Sequence, residues 1–257
     1  MTPAALPPPA RLADDDVHIW CLRQDHPIDP QALAVCEALL SPGERARRDR
    51  FVFPRHQRQF LLAHALVRAT LSHYTGVAPA RWTFAENQYG RPEPATPDVA
   101  LPIRFNLSHT DGLIACAVTL GRDIGVDVED VTRQAAGLDI AERYFAPAEV
   151  ADLARVPEAD RARTFFDYWT LKEAYIKARG MGLALPLRAF AFRLAPGAPP
   201  AIAFTPELDD DPATWQFRLL RPTATHRLAL AVRDSPVRPV RIALDWADPA
   251  LFARYHR

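Results

Sequence analysis

Two acidic elements in this chain could do chemistry together. In Ile124-Gly125-Val126-Asp127-Val128-Glu129 the apolar residues alternate with the others at the period of a strand, so Asp127 and Glu129 leave the sheet on one face. The alternation predicts that this face is turned away from the core. Trp169-Thr170-Leu171-Lys172-Glu173-Ala174-Tyr175-Ile176-Lys177 has the period of a helix. Glu173 and Lys177 fall one turn apart, on an edge shared with Thr170, and Tyr168, Leu171 and Tyr175 make an apolar stripe. If the helix packs beside the strand, three carboxylates converge with a lysine next to them. Three hard oxygen donors suit Mg²⁺, which keeps several waters and takes the rest of its shell from substrate phosphates. Either element alone is ordinary, because Asp-x-Glu is common on solvated sheet faces and Glu-Lys pairs decorate exposed helices. What sets this pair apart is Gly125, where a ligand could approach the backbone, together with the large aromatics Trp169 and Tyr175 around Glu173.

Further groups could grip phosphate. Phe105-Asn106-Leu107-Ser108-His109-Thr110 reads as a strand ending in a hydroxyl and an imidazole at a sheet edge, both able to donate to phosphate oxygens. Gly90-Arg91-Pro92 places a guanidinium on a turn held by Gly and Pro. Arg45, Arg47, Arg48 and Arg50 form a basic cluster that reads mainly as a solvated helix face.

The rest of the chain must position these groups. Its 257 residues can bury a full core, as one large domain or two halves. Lys and Arg number 31 against 31 Asp and Glu, so no global field favours nucleic acid or an anionic membrane, and any anion binding is local. No basic n-region with an apolar run opens the chain, and no stretch reaches membrane-span length, so the expectation is a cytoplasmic protein. Cys21, Cys36 and Cys116 are widely spaced and read as packing residues rather than disulfide or zinc ligands.

Residues 1–16 read as a loose tail rich in Pro and Ala and then acidic. A strand pattern starts at Val17. Helices are predicted over 30–40, 42–51 and 55–74, then a Pro-rich loop over 86–102. Strands at 113–120 and 124–131 flank Gly121-Arg122-Asp123, which predicts a hairpin. Helices follow at 140–144, 147–153 and 161–178, the last stopped by Gly180. The final third reads as strands over 190–194, 215–220, 227–232 and 240–245. A faint repeat runs through this order: Ser41-Pro42-Gly43-Glu44 is answered 105 positions on, from 41 to 146, by Ala146-Pro147-Ala148-Glu149. Leu66, Ala69 and Leu71 line up with Leu171, Ala174 and Ile176 in the same way. A duplicated fold would place the site in the cleft between halves, residues 17–121 and 122–257.

In this order, the motifs Gly90-Arg91-Pro92, Phe105-Asn106-Leu107-Ser108-His109, Ile124-Gly125-Val126-Asp127-Val128-Glu129 and Trp169 to Lys177 with Gly180-Met181-Gly182-Leu183 resemble the 4′-phosphopantetheinyl transferase family of the larger, Sfp-like kind. The resemblance runs over roughly residues 17–235. It implies an α+β fold of two similar α/β subdomains in one chain, with the active site in the cleft between them. It implies transfer of the 4′-phosphopantetheine arm of coenzyme A to a serine of an apo acyl carrier protein or peptidyl carrier protein, releasing adenosine 3′,5′-bisphosphate, by a monomer that needs neither nucleic acid nor membrane. By position, Asp127, Glu129 and Glu173 would be the Mg²⁺ ligands. Glu173 and Lys177 would be catalytic, Glu173 as the base for the carrier serine. Arg47, Arg91, Pro92, Ser108, His109, Asp127 and Lys177 would contact coenzyme A. Arg91 stands where relatives often have Lys, and the two cations differ in fork geometry. A non-catalytic coenzyme A or carrier-binding module and another Mg²⁺-dependent phosphotransferase are the alternative readings.

Overall fold

The computed structural model describes residues 10–133, 138–233, 239–248 and 252–255. Most of the expected N-terminal tail, residues 1–9, lies outside the described residues. From Ala10 the chain is packed: the Ala10 amide donates to the His73 carbonyl at 2.7 Å, and Leu12 is buried.

The elements in chain order are β1 (Asp16–Arg23), α1 (Pro30–Leu39), α2 (Pro42–Arg48), α3 (Pro54–Thr75), β2 (Phe84–Glu86), β3 (Pro92–Pro94), β4 (Ile103–Thr110) and β5 (Leu113–Leu120). They continue with β6 (Ile124–Asp130), α4 (Leu138–Tyr144), α5 (Pro147–Arg155), α6 (Glu158–Arg179), β7 (Phe190–Arg193), β8 (Ala201–Phe204), β9 (Trp215–Leu220), β10 (His226–Arg233) and β11 (Arg241–Trp246). Contacts divide the chain into two compact units. One holds Met1–Asn87, Pro92–Gly121 and Arg241–Arg257, the other Gln88–Arg91 and Arg122–Val240.

The first unit is built on a sheet of order β11-β1-β5-β4, in which β11 runs parallel to β1 and the other pairs are antiparallel. Alternate residues of β4 and β5, such as Ile103, Phe105, Ile114, Cys116 and Val118, join α3 in one core. α3 starts with Pro54 in its first turn, where a missing N–H costs nothing, and stops at Gly76, whose φ of 70° is the left-handed cap that glycine adopts without strain. The second unit has a sheet of order β6-β10-β9 and the hairpin β7-β8, with α6 as the long central helix. α6 packs on β6 and β10, and Tyr168, Leu171 and Tyr175 are buried as their spacing predicts. Burying side chains of this size stabilises by about 1.5–3 kcal/mol each.

The expected hairpin across Gly121 is not formed. β5 ends in the sheet of the first unit and β6 pairs with β10 in the second. Gly121, at φ 62°, turns the chain out of one sheet and toward another. The hairpin lies one turn earlier, where Gly112 at φ 84° follows Asp111 between β4 and β5. Asp-Gly is the stronger hairpin signal of the two. The sequence reading also missed β2, β3 and β8, each of three or four residues and too short to show a period.

Candidate active site

α6 and β6 cross at Gly125. A Cβ added there would stand 2.0 Å from the Ala174 carbonyl oxygen and 2.4 Å from the Ala178 amide nitrogen. The room expected for a ligand is therefore taken by the helix, and Gly125 is required for close strand–helix packing. The same contact corrects a second expectation. The face of β6 that carries the carboxylates is the one against α6, and Asp127 is only 5% exposed.

One edge of α6 stays half-buried at helical spacing: Trp169, Glu173 and Lys177. Thr170, expected on that edge, is fully buried, and its hydroxyl donates to the Phe166 carbonyl. Lys177 reaches β6, where Nζ donates to Asp127 Oδ1 at 2.7 Å. Glu129, one pleat further along β6, accepts from Arg133 at 3.0 Å. The Trp169 ring is held by stacking on Phe165, centroids 5.9 Å apart.

The electrostatics follow from this crowding. Burial pushes Glu173 up, and the charges of Asp127 and Glu129 add to it against the opposing Lys177, to about 7. Glu129 is raised too, by burial first and then by Asp127. Like charges sharing a half-dry site hold a proton tightly. Three carboxylates thus feel one another strongly with one ammonium among them, the condition that a hard divalent cation relieves. The donor set fits Mg²⁺. The side chains as they stand are not a coordination shell, since among the described residues no three His, Cys, Asp or Glu close on one point.

α6 is pinned from two further sides. Arg91 Nη1 donates to the carbonyls of Ala178 at 2.7 Å and Lys177 at 3.3 Å, so this guanidinium caps the negative end of the helix. Asp210 accepts from Tyr175 at 2.7 Å, from the Trp215 indole at 3.0 Å, and from Arg179. Nothing in the spacing of these residues announced Asp210, because it reaches α6 from the loop between β8 and β9.

The other expected site residues lie in the first unit. β4 is an edge strand, as expected, but Ser108 is buried and His109 exposed, on alternate faces. The Gln59 side chain pins the strand end by donating to the Thr110 carbonyl at 3.2 Å. Arg47 is exposed on α2 with its guanidinium 5.8 Å over the Phe60 ring. Pro92 is exposed at the start of β3.

The chain is thus a two-unit α+β protein that gathers one buried and two half-buried carboxylates beside a lysine. Residues 123–232 match the family model described as 4′-phosphopantetheinyl transferase superfamily, and residues 26–120 match that described as 4′-phosphopantetheinyl transferase, N-terminal. The chain is 36% identical over 200 residues to the 4′-phosphopantetheinyl transferase HetI of a Nostoc species, covering 78% of this chain and 83% of that protein. To the 4′-phosphopantetheinyl transferase Sfp of Bacillus subtilis it is 30% identical over 177 residues, covering 68% and 76%. A second 4′-phosphopantetheinyl transferase of Bacillus subtilis is 33% identical with the same coverage. The chain belongs to the 4′-phosphopantetheinyl transferase family.

Proposed function

We propose that this chain takes the 4′-phosphopantetheine group from coenzyme A and places it on the serine of an apo acyl carrier protein or peptidyl carrier protein, acting as a monomer in the cytoplasm. Among the described residues no helix is long and apolar enough to cross a membrane. The observation that carries the reading is the group on β6 and α6: Asp127, Glu129 and Glu173 with Lys177. Asp127, Glu129 and Glu173 would hold Mg²⁺, which supplies charge neutralisation to a pyrophosphate when bound. Arg47, Arg91, Pro92, Ser108, His109, Asp127 and Lys177 are the residues proposed to contact coenzyme A.

The serine oxygen attacks the β-phosphorus of coenzyme A, a new P–O bond forms, and the bond to adenosine 3′,5′-bisphosphate breaks. The serine proton goes to Glu173 as general base. Lys177 offsets the negative charge that gathers on the departing phosphate. Positioning of the two substrates supplies most of the remaining rate.

Mass measurement of an apo carrier after incubation with the chain, coenzyme A and Mg²⁺ tests this. The carrier gains the phosphopantetheine mass, and adenosine 3′,5′-bisphosphate appears in equal amount. A carrier that binds but keeps its mass would mark a non-catalytic binding module instead. Resonances of ¹³C-labelled Glu173, followed against pH without divalent cation, titrate near 7 and move to lower pH when Mg²⁺ and coenzyme A are added. A titration that Mg²⁺ leaves in place would remove Glu173 from the metal shell.

A further inference from the structure

The connection between α2 and α3 carries no part of the chemistry above, yet it is built to be seen from outside. Phe51, Val52 and Phe53 are exposed, Val52 by 84% and Phe53 by 57%. The loop is braced from within. The Phe51 ring packs on Phe60 and His56 at centroid distances of 5.6 and 6.3 Å, and Phe53 packs on His56 at 5.6 Å. Gln57 Nε2 donates to the Phe51 carbonyl at 2.8 Å, and Pro54 fixes the start of α3. An apolar tip held this way has lost little freedom still to lose on binding.

Charge surrounds it on one side of the ledger. Residues 42–58 contain six arginines, Arg45, Arg47, Arg48, Arg50, Arg55 and Arg58, against Glu44 and Asp49, within a chain of net charge zero. Three of the six serve the fold. Arg45 donates to the carbonyls of Glu37 and Leu40, Arg48 pairs with Glu37 and Asp49, and Arg58 donates to the His26 carbonyl. Arg47, Arg50 and Arg55 are exposed. Arg55 lies 5.7 Å over the Phe53 ring, so cation and apolar surface form one patch.

Exposed aromatic and arginine residues together are the composition of binding hot spots. The charge selects the occupant: a partner segment with an apolar centre and an acidic rim. We propose that Phe51, Val52 and Phe53, with Arg50 and Arg55, dock an acidic amphipathic segment of the carrier protein. This rests on the transferase reading, because that reaction requires a protein acceptor to be held while its serine reacts. None of these five residues belongs to the site on β6 and α6 or to the proposed coenzyme A contacts.

The test is steady-state transfer to an apo acyl carrier protein at saturating coenzyme A, read by mass, for wild type, Val52→Asp, Phe53→Ser and Arg50→Glu/Arg55→Glu. Each variant is expected to raise KM for the carrier about tenfold or more, the size of a lost hot spot. The turnover at saturating carrier and KM for coenzyme A stay within about twofold. A carrier with surface acids changed to Lys is expected to recover affinity for Arg50→Glu/Arg55→Glu and to lose it for wild type. Unchanged carrier KM in all variants overturns the docking surface while leaving the transferase reading intact. Loss of binding to anionic vesicles with unchanged carrier KM overturns it in favour of a membrane. If wild type transfers nothing, the transferase reading fails. Calorimetric titration of wild type and Val52→Asp with the carrier then decides the surface, and equal binding or none overturns it.

Discussion

The two units of this chain share a plan and differ in what they put into it. Each has a short helix opened by proline with a glutamate in its first turn, then a 22-residue helix that ends on a left-handed glycine, Gly76 or Gly180. Each long helix carries a buried cation at the same position, Arg68 or Lys172, which binds that glutamate and two following carbonyls. The difference lies where strand meets helix. In the first unit the seam is filled with rings: His18 contacts the Tyr74 hydroxyl at 2.7 Å, and Trp20 packs edge-on against His73. In the second, Gly125, Ala174 and Ala178 empty it, the backbones close in, and Asp127 and Lys177 meet where Trp20 and His73 stand in the other. Glu173 stands where the first helix has Ala69, because the two helices superpose at an offset of 104, one residue short of the 105 expected from the repeat. One frame thus serves as scaffold when its seam is packed with aromatics, and as a candidate active site when small residues let charged groups share a narrow, half-dry space.

Exchange across this comparison gives the largest expected effects. Asp127→Ala, Glu129→Ala and Glu173→Gln should each lower carrier modification by about 10²–10³ or more, the scale of lost transition-state electrostatics. His73→Ala, the counterpart change in the first unit, should leave turnover close to wild type. Equal losses in both would show that the seam acts through stability alone, which circular dichroism at the assay temperature would register.

The buried pairs come next. Glu149 and Lys172 are both fully buried, 2.7 Å apart, and burial opposes both charges, raising Glu149 and taking Lys172 down to about 8. Lys172→Met strands a carboxylate in the core and should cost about 3–5 kcal/mol in urea denaturation. Adding Glu149→Gln should recover part of that. Arg68→Met should cost less, about 1–3 kcal/mol, because Glu44 keeps its bond to His64 at 3.0 Å and is partly exposed. A Gly125→Ala change follows, at about 1–3 kcal/mol, since its methyl group meets helix backbone and not the end of a flexible side chain. It should also weaken turnover, because α6 must back away from β6 and carry Lys177 off Asp127. A variant of undiminished stability would mean that the crossing is looser than the 2.0 Å approach implies.

Much of this was legible beforehand because it is local. α3 and α6 announced themselves by period, α6 also by its glycine stop, and the alternation from Ile124 to Glu129 placed Asp127 and Glu129 on one face. What the sequence hid is what distant segments decide. Gly125 looks the same whether ligand or helix fills the space above it, and only the pairing of β6 with β10 settles that Gly121 closes no hairpin. The Asp210 contacts join α6 to a loop some thirty residues on, with no periodic trace. Burial of Ser108 against exposure of His109 needed the sheet's edge and faces to be known.

The smallest expected effect is in acid. Burial by itself would raise Glu44, but hydrogen bonds from His64, Arg68 and the Ser41 amide reverse it and take the carboxyl down to about 2. A carboxyl depressed in the folded chain contributes stability that is present above its ordinary value of 4.5 and is lost as pH falls from there toward 2. Glu149 has the opposite sign: raised by burial, it takes up its proton in the folded chain before it would in the unfolded one, so falling pH does not cost the fold through this group. Thermal melts between neutral pH and pH 2 should therefore show an acid-side decline that Glu44→Gln flattens and Glu149→Gln leaves in place. The two substitutions separate because a guanidinium, an imidazole and a backbone amide overcome desolvation of the partly exposed Glu44, while an ammonium and the amides of Ala146 and Phe192 do not overcome it for Glu149, which has no access to water. If Glu149→Gln were the variant that flattened the decline, the relative strength of the two pairs would be the reverse of what their burial implies.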